Sequence, residues 1–223
     1  VVFLSENMAG QYPRFIGKHA SVVHNHAAIE APRPLRPERK RPLVVIPARL
    51  GFRKGYDVFL AVCRRLNEKK NVFEAWMVGG WSSESERLRA QEYIREHQLE
   101  LVVSDQGLQF DMAPIYAQMD ILLLTSRRDP FPRVIMEAMC HGIPVVATRV
   151  DGIPEMVEDG TTGFLVDSED VDGFAECVGR LLKDEPLRRQ MGVAARERAR
   201  ALFSPGIYCE KMKAIYADLE PER

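Results

Sequence analysis

Short, uninterrupted apolar runs alternate along this chain with longer stretches in which apolar residues recur every three or four positions. The runs at 43–46, 73–78, 101–103, 121–124, 144–147 and 163–166 read as strands. The periodic stretches at 58–66, 83–97, 112–119, 170–183, 185–202 and 206–219 read as helices, and a further helix is led by Pro132. Ser83, with Glu86 three residues on, has the form of a capping box. Strands that are apolar throughout and separated by helices predict a parallel sheet covered on both faces. The fold class is therefore α/β, a Rossmann-like doubly wound sheet, and its ligand site belongs in the loops after the strands. Residues 1–42 differ: two strand-like pieces, 1–4 and 21–24, stand among prolines and read as a connector outside the sheet.

Composition narrows the function. The 31 basic and 32 acidic residues of this 223-residue chain nearly cancel, to −1, which gives no cause to expect nucleic acid or an anionic membrane surface. The one basic run, at 33–41, is broken by prolines and reads as a solvated linker. Cys63, Cys140, Cys177 and Cys209 form no Cys-x-x-Cys pair, which argues against a zinc ribbon or redox motif and fits a reducing, cytoplasmic setting. The apolar runs are too short to span a bilayer, and no signal-peptide pattern is present. The chain opens on Val1-Val-Phe-Leu4 without an initiator methionine, so a longer parent protein is expected.

The fold class suggests nucleotides, yet the Gly-x-Gly-x-x-Gly fingerprint and the Gly-Lys-Ser/Thr phosphate loop are both missing. The stretch DPFPRVIMEAM, 129–139, offers another anion site. Pro132 suits the first helical position. The amides of Arg133, Val134 and Ile135 are then free at the positive end of the helix dipole. Glu137 leans back toward the same point. Its carboxylate either accepts both hydroxyls of a ribose or is an ordinary acid in the first turns of a helix. In the loop 48–55, Arg49 and Lys54 either aim two cations at one diphosphate or are solvated. Lys54 lies near a helix start, where a cation is unfavourable, and this tilts the reading toward function.

Other candidates have plainer explanations. His24 and His26 would share one face of a strand, but no third metal ligand is apparent in the sequence. Asp170-Val-Asp172 precedes a helix and reads as a cap. His141 reads as a helix-end cation. Trp76 reads as core, and Trp81 is a weaker candidate for the cleft.

Arg49, Lys54 and the stretch DPFPRVIMEAMCHGIPVVATRVDGIPE, 129–155, resemble the C-terminal half of retaining glycosyltransferases of the GT-B fold. These belong to the group-1 family that includes sucrose synthases and bacterial mannosyl- and glucosyltransferases. The resemblance runs from about residue 20, where VVHNHAAIE is similar to the interdomain connector, to the end of the chain. It implies one half of a two-domain fold: 1–42 as the end of an N-terminal domain and connector, 43–204 as the sugar-nucleotide domain, and 205–223 as a crossover helix.

By the same resemblance, Arg49 and Lys54 contact the donor diphosphate, Glu137 holds the ribose, and Asp129 stands where a glutamate is usual. Phe131, Pro132, Arg133 and Val134 line the phosphate or sugar, while Gln106, Gly107 and Leu108 lie against the base. The implied catalytic set is Arg49, Lys54, Asp129 and Glu137. No cofactor and no metal are implied, the donor being a UDP- or GDP-hexose. The implied partner is an N-terminal acceptor domain of the same protein, through which any peripheral membrane contact would come. Asp129 is about 1.5 Å shorter than glutamate, Asp151-Gly152 replaces a usual Gly-Gly, Pro47 replaces a glycine, and His24-Asn-His26 replaces Asn-Gly. This chain alone is expected to bind donor and to transfer sugar poorly or not at all. The alternatives are a non-catalytic nucleotide-binding module and a sugar-nucleotide epimerase of the same fold.

Overall fold

The computed structural model describes residues 1–12, 20–27 and 41–218. The linker at 33–41, apart from Arg41, and residue 219 of the last expected helix lie outside them. Strands β1 (Val2–Phe3) and β2 (Ser21–Val22) pair with each other in parallel and stand apart from the main sheet. Because β2 ends at Val22, His24 and His26 lie beyond it and share no strand face. Between the two strands sits a short helix that the sequence pattern missed, α1 (Glu6–Gly10).

The main sheet holds β3 (Leu43–Pro47), β4 (Glu74–Val78), β5 (Val103–Asp105), β6 (Ile121–Leu124), β7 (Val145–Thr148) and β8 (Gly163–Val166). All pairings are parallel, in the order β5-β4-β3-β6-β7-β8. β5 starts two residues later than the apolar run at 101–103. Leu101 is 89% exposed, and the amides of Val102 and Val103 both donate to the Leu99 carbonyl, so this run begins as a turn.

Alternate strand residues face opposite layers. Leu43, Val45, Leu122, Leu124, Val145 and Ala147 pack with helix α5 (Arg133–Cys140) and helix α8 (Glu185–Phe203). Val44, Ile46, Ile121, Leu123 and Val146 pack with helix α2 (Tyr56–Glu68) and helix α7 (Val171–Lys183). Because both faces are covered, the strands carry no polar alternation. Among the described residues the remaining α-helices are α3 (Glu84–Glu96), α4 (Ala113–Gln118), α6 (Ile153–Met156) and α9 (Pro205–Ala217).

Asp170 caps α7, accepting from the Gly173 amide at 2.9 Å, as the capping reading of Asp170-Val-Asp172 requires. The capping box at α3 is only half made. Ser83 accepts from the Glu86 amide at 3.3 Å, while Glu86 instead takes the Phe52 amide at 2.7 Å and ties α3 to the loop after β3. The order of strands reverses between β3 and β6, and the crevice beyond their carboxyl ends is where such sheets bind ligands.

Candidate functional site

Two loops meet at that crevice. After β3 the chain passes through a 3-10 turn, Phe52–Lys54, and then Gly55 at φ +69°. A Cβ on Gly55 would lie 1.9 Å from the Thr125 carbonyl oxygen, so only glycine lets this loop rest on the end of β6. Thr125 Oγ1 fastens the contact by donating to the Gly55 carbonyl at 2.8 Å. The approach brings Lys54 into an ion pair with Asp129, their side chains only 17% and 8% exposed. Arg49 is exposed and makes no hydrogen bond or ion pair among the described residues.

Arg127, which the sequence reading passed over, braces the same two loops. Its guanidinium donates to the Phe52 carbonyl at 2.6 Å, to both oxygens of Asp57 at 2.8 Å and to Glu169 at 2.6 Å. It also sits 3.8 Å from the centre of the Phe52 ring. Burial by itself would raise the Asp57 carboxyl, but the Arg127 hydrogen bond and charge outweigh it and hold the group below its ordinary value.

The loop after β6 departs from expectation in three places. Pro132 is the residue before α5 rather than its first position. The Ile135 amide donates to the Pro132 carbonyl at 3.1 Å, so only the amides of Arg133 and Val134 are left without an acceptor among the described residues. Phe131 is 5% exposed, with its ring stacked on His24 at 4.8 Å and edge-on to Phe203 at 5.8 Å. It is therefore a packing residue that seats the loop, not a wall of the cleft.

Asp151, in the place of a usual glycine, adopts φ +47°. Its carboxylate accepts the Asp129 amide at 2.8 Å and the Arg128 guanidinium at 3.0 Å. The aspartate thus fixes the backbone that carries Asp129.

Glu137 is 28% exposed and lies 3.5 Å from Arg133. It accepts the Tyr116 hydroxyl at 2.7 Å. Burial, and then the neighbouring Glu137 charge, push that hydroxyl above its ordinary range, so Tyr116 remains a donor and holds the carboxylate in place. His141, at the end of α5, turns its Nδ1 to the Glu137 carbonyl at 2.8 Å and stacks on Tyr116 at 5.0 Å.

Beside these loops opens a cleft of about 540 Å³, lined in part by Arg49, Gly80, Trp81, Leu108, Met112 and Val134. Of the expected contact residues, Arg49, Leu108 and Val134 border it directly. Lys54 and Asp129 lie in the adjoining loops and Glu137 in the adjoining helix α5. Gln106 turns inward instead, its amide on the Met77 carbonyl at 2.8 Å and its side chain on Ser104 at 2.8 Å. Gly107, at φ +64°, is held by Asp105 and by the Gly79 amide. One free guanidinium, two unpaired helix-start amides, a carboxylate presented by a tyrosine and an apolar recess together suit a flat, diphosphate-bearing ligand with a diol.

Among the described residues no helix is long and apolar enough to cross a membrane. The sequence matches the family described as Glycosyl transferases group 1 over residues 29–198. It is 43% identical over 108 residues to a D-inositol 3-phosphate glycosyltransferase of Corynebacterium diphtheriae, covering 48% of this chain and 25% of that protein. It is 30% identical over 218 residues to a GDP-mannose-dependent alpha-(1-6)-phosphatidylinositol monomannoside mannosyltransferase of Mycolicibacterium smegmatis, covering 88% and 56%. The fold superposes on the crystal structure of Anabaena Alr3699/HepE in complex with UDP and glucose with a TM-score of 0.84 at 22% identity, over 97% of this chain and 62% of that one. The chain spans between a quarter and about half of the two sequence relatives.

Proposed function

Since the chain belongs to the glycosyl transferases group 1 family of GT-B-fold enzymes, we propose that it is the donor-binding half of a retaining hexosyltransferase using a UDP- or GDP-sugar. The observation that carries this is the meeting of the post-β3 and post-β6 loops at the reversal of strand order. There Arg49 is unpaired and the Arg133 and Val134 amides lack acceptors. A diphosphate entering there meets a planar guanidinium and a helix start, with the Lys54–Asp129 pair beside it. Glu137, presented by Tyr116, takes the ribose diol.

In the reaction the bond from the anomeric carbon to the diphosphate oxygen breaks, an acceptor hydroxyl oxygen takes its place, and the hydroxyl proton is released. Arg49, Lys54 and the helix-start amides stabilise the charge that gathers on the departing diphosphate. The acceptor site belongs to an N-terminal domain of the whole protein. The GDP-mannose and UDP named for the relatives above support a nucleotide donor. That none of the four cysteines is joined in a disulfide supports a cytoplasmic setting.

Calorimetric titration with UDP, GDP and ADP tests the reading, with Lys54→Ala and Glu137→Ala in parallel. One nucleotide binds and both variants lose it. If none binds to this chain or to the full-length protein, the reading is wrong.

A further inference from the structure

We infer that Trp81 is the aromatic wall on which the nucleobase of the donor stacks, and that Asp105 sets the gap the base enters; this rests on the donor-site reading above. The indole N–H donates to Asp105 Oδ2 at 2.7 Å, so the polar edge of the ring is already satisfied. Tyr56 meets the ring edge-on, with centroids 5.2 Å apart, and the indole packs partly on the core layer beneath α2. What remains of the indole borders the cleft.

The same carboxylate reaches a second stretch of the lining, because Asp105 Oδ1 accepts the Gly107 amide at 2.9 Å. One side chain therefore fixes both the indole and the turn that carries Leu108 and Gln109. Gly79 and Gly80 also belong to the lining. Gly79 holds φ +139°, and a Cβ there would lie 1.8 Å from the Ala48 carbonyl oxygen, while Gly80 has nothing within 4 Å of its would-be Cβ. Gly79 and Gly80 thus add no side chain to the lining, in which Arg49 is the one cation. A nucleobase matches this lining: apolar faces for the indole, and a polar edge for Gln109, whose amide nitrogen is anchored on the Gln106 carbonyl at 2.7 Å.

The test compares UDP, GDP and inorganic pyrophosphate binding by calorimetry in the wild-type protein, Trp81→Ala, Trp81→Phe and Asp105→Ala. Removing an aromatic platform weakens base binding by about five- to a hundredfold. Trp81→Ala is expected to weaken the nucleotide by that factor and leave pyrophosphate unchanged. Trp81→Phe should recover most of the loss, and Asp105→Ala should fall between. Unchanged nucleotide affinity in Trp81→Ala overturns the inference, as does an equal loss for pyrophosphate, which would make the indole a structural prop. A wild-type protein that binds no nucleotide, with or without pyrophosphate, would instead bring down the donor-site reading, and the inference with it.

Discussion

At the scale of single residues, the site is shaped by acids that hold other groups rather than by acids that wait for a ligand. Asp129 neutralises Lys54 in a largely buried pair, so a donor diphosphate must compete with a carboxylate for that ammonium. Asp129→Asn removes the competitor and leaves Lys54 without its charge partner. Losing one member of a buried pair costs up to about 3–5 kcal/mol, so the thermal midpoint falls. Affinity for pyrophosphate rises severalfold at the same time, measured by calorimetry. A packing defect would lower both, and that result would show that Lys54 does not face the ligand. Tyr116→Phe removes one hydrogen bond to Glu137. A bond to a charged group contributes about 1.5–3 kcal/mol. If Glu137 takes the ribose, this variant weakens a nucleoside diphosphate more than it weakens pyrophosphate. Equal weakening of the two ligands would separate Glu137 from the sugar.

At the scale of elements, what the sequence made legible follows the range of the forces involved. The strands were readable because a sheet covered on both faces needs apolar side chains at every position, and the long helices because their apolar stripe repeats along the chain. α1 and α6 were not, being five and four residues long and held by distant partners. α1 shows why. Its first amides, of Glu6 and Asn7, both donate to the Glu155 carboxylate at 2.9 Å, across separations of 149 and 148 residues. Ser5 takes the Met8 amide at 3.0 Å. No local pattern encodes such a cap. Glu155→Ala leaves two helix-start donors unpaired. Hydrogen exchange at residues 6–10 should accelerate at least tenfold while exchange in β3 and β6 is unchanged; slow exchange at 6–10 in the variant would mean that Ser5 alone caps the helix. The site divides in the same way. Arg49, Lys54 and Glu137 were legible from their places after strands and in a helix start. Tyr116, Asp151 and Arg127 were not, since each acts on a residue 21, 22 or 70 positions away.

At the scale of the whole molecule, the crevice lies where two halves of a sheet diverge, and its shape depends on how firmly the loops of both halves are joined. Gly55 allows the contact and Arg127 locks it, reaching the loop after β3 through Phe52, α2 through Asp57 and the approach to α7 through Glu169. The lock carries a pH dependence whose sign follows from Asp57. Its carboxyl titrates below the unperturbed 3.8, burial being outweighed by Arg127. A carboxyl with a depressed folded pKa contributes stability that is complete above its unfolded value and is lost as pH falls through the folded one. Asp57→Asn mimics the discharged state. The gap in thermal midpoint between wild type and Asp57→Asn should therefore be constant from about pH 8 to about pH 5 and close as pH falls below about 4. Nucleotide affinity of Asp57→Asn should drop at neutral pH as well, because the loop bearing Arg49 and Lys54 loses its register with the loop bearing Asp129. A gap that stays constant into strong acid would mean that Arg127 does not hold Asp57 in its charged form, and the two loops would then owe their register to the Gly55 contact alone.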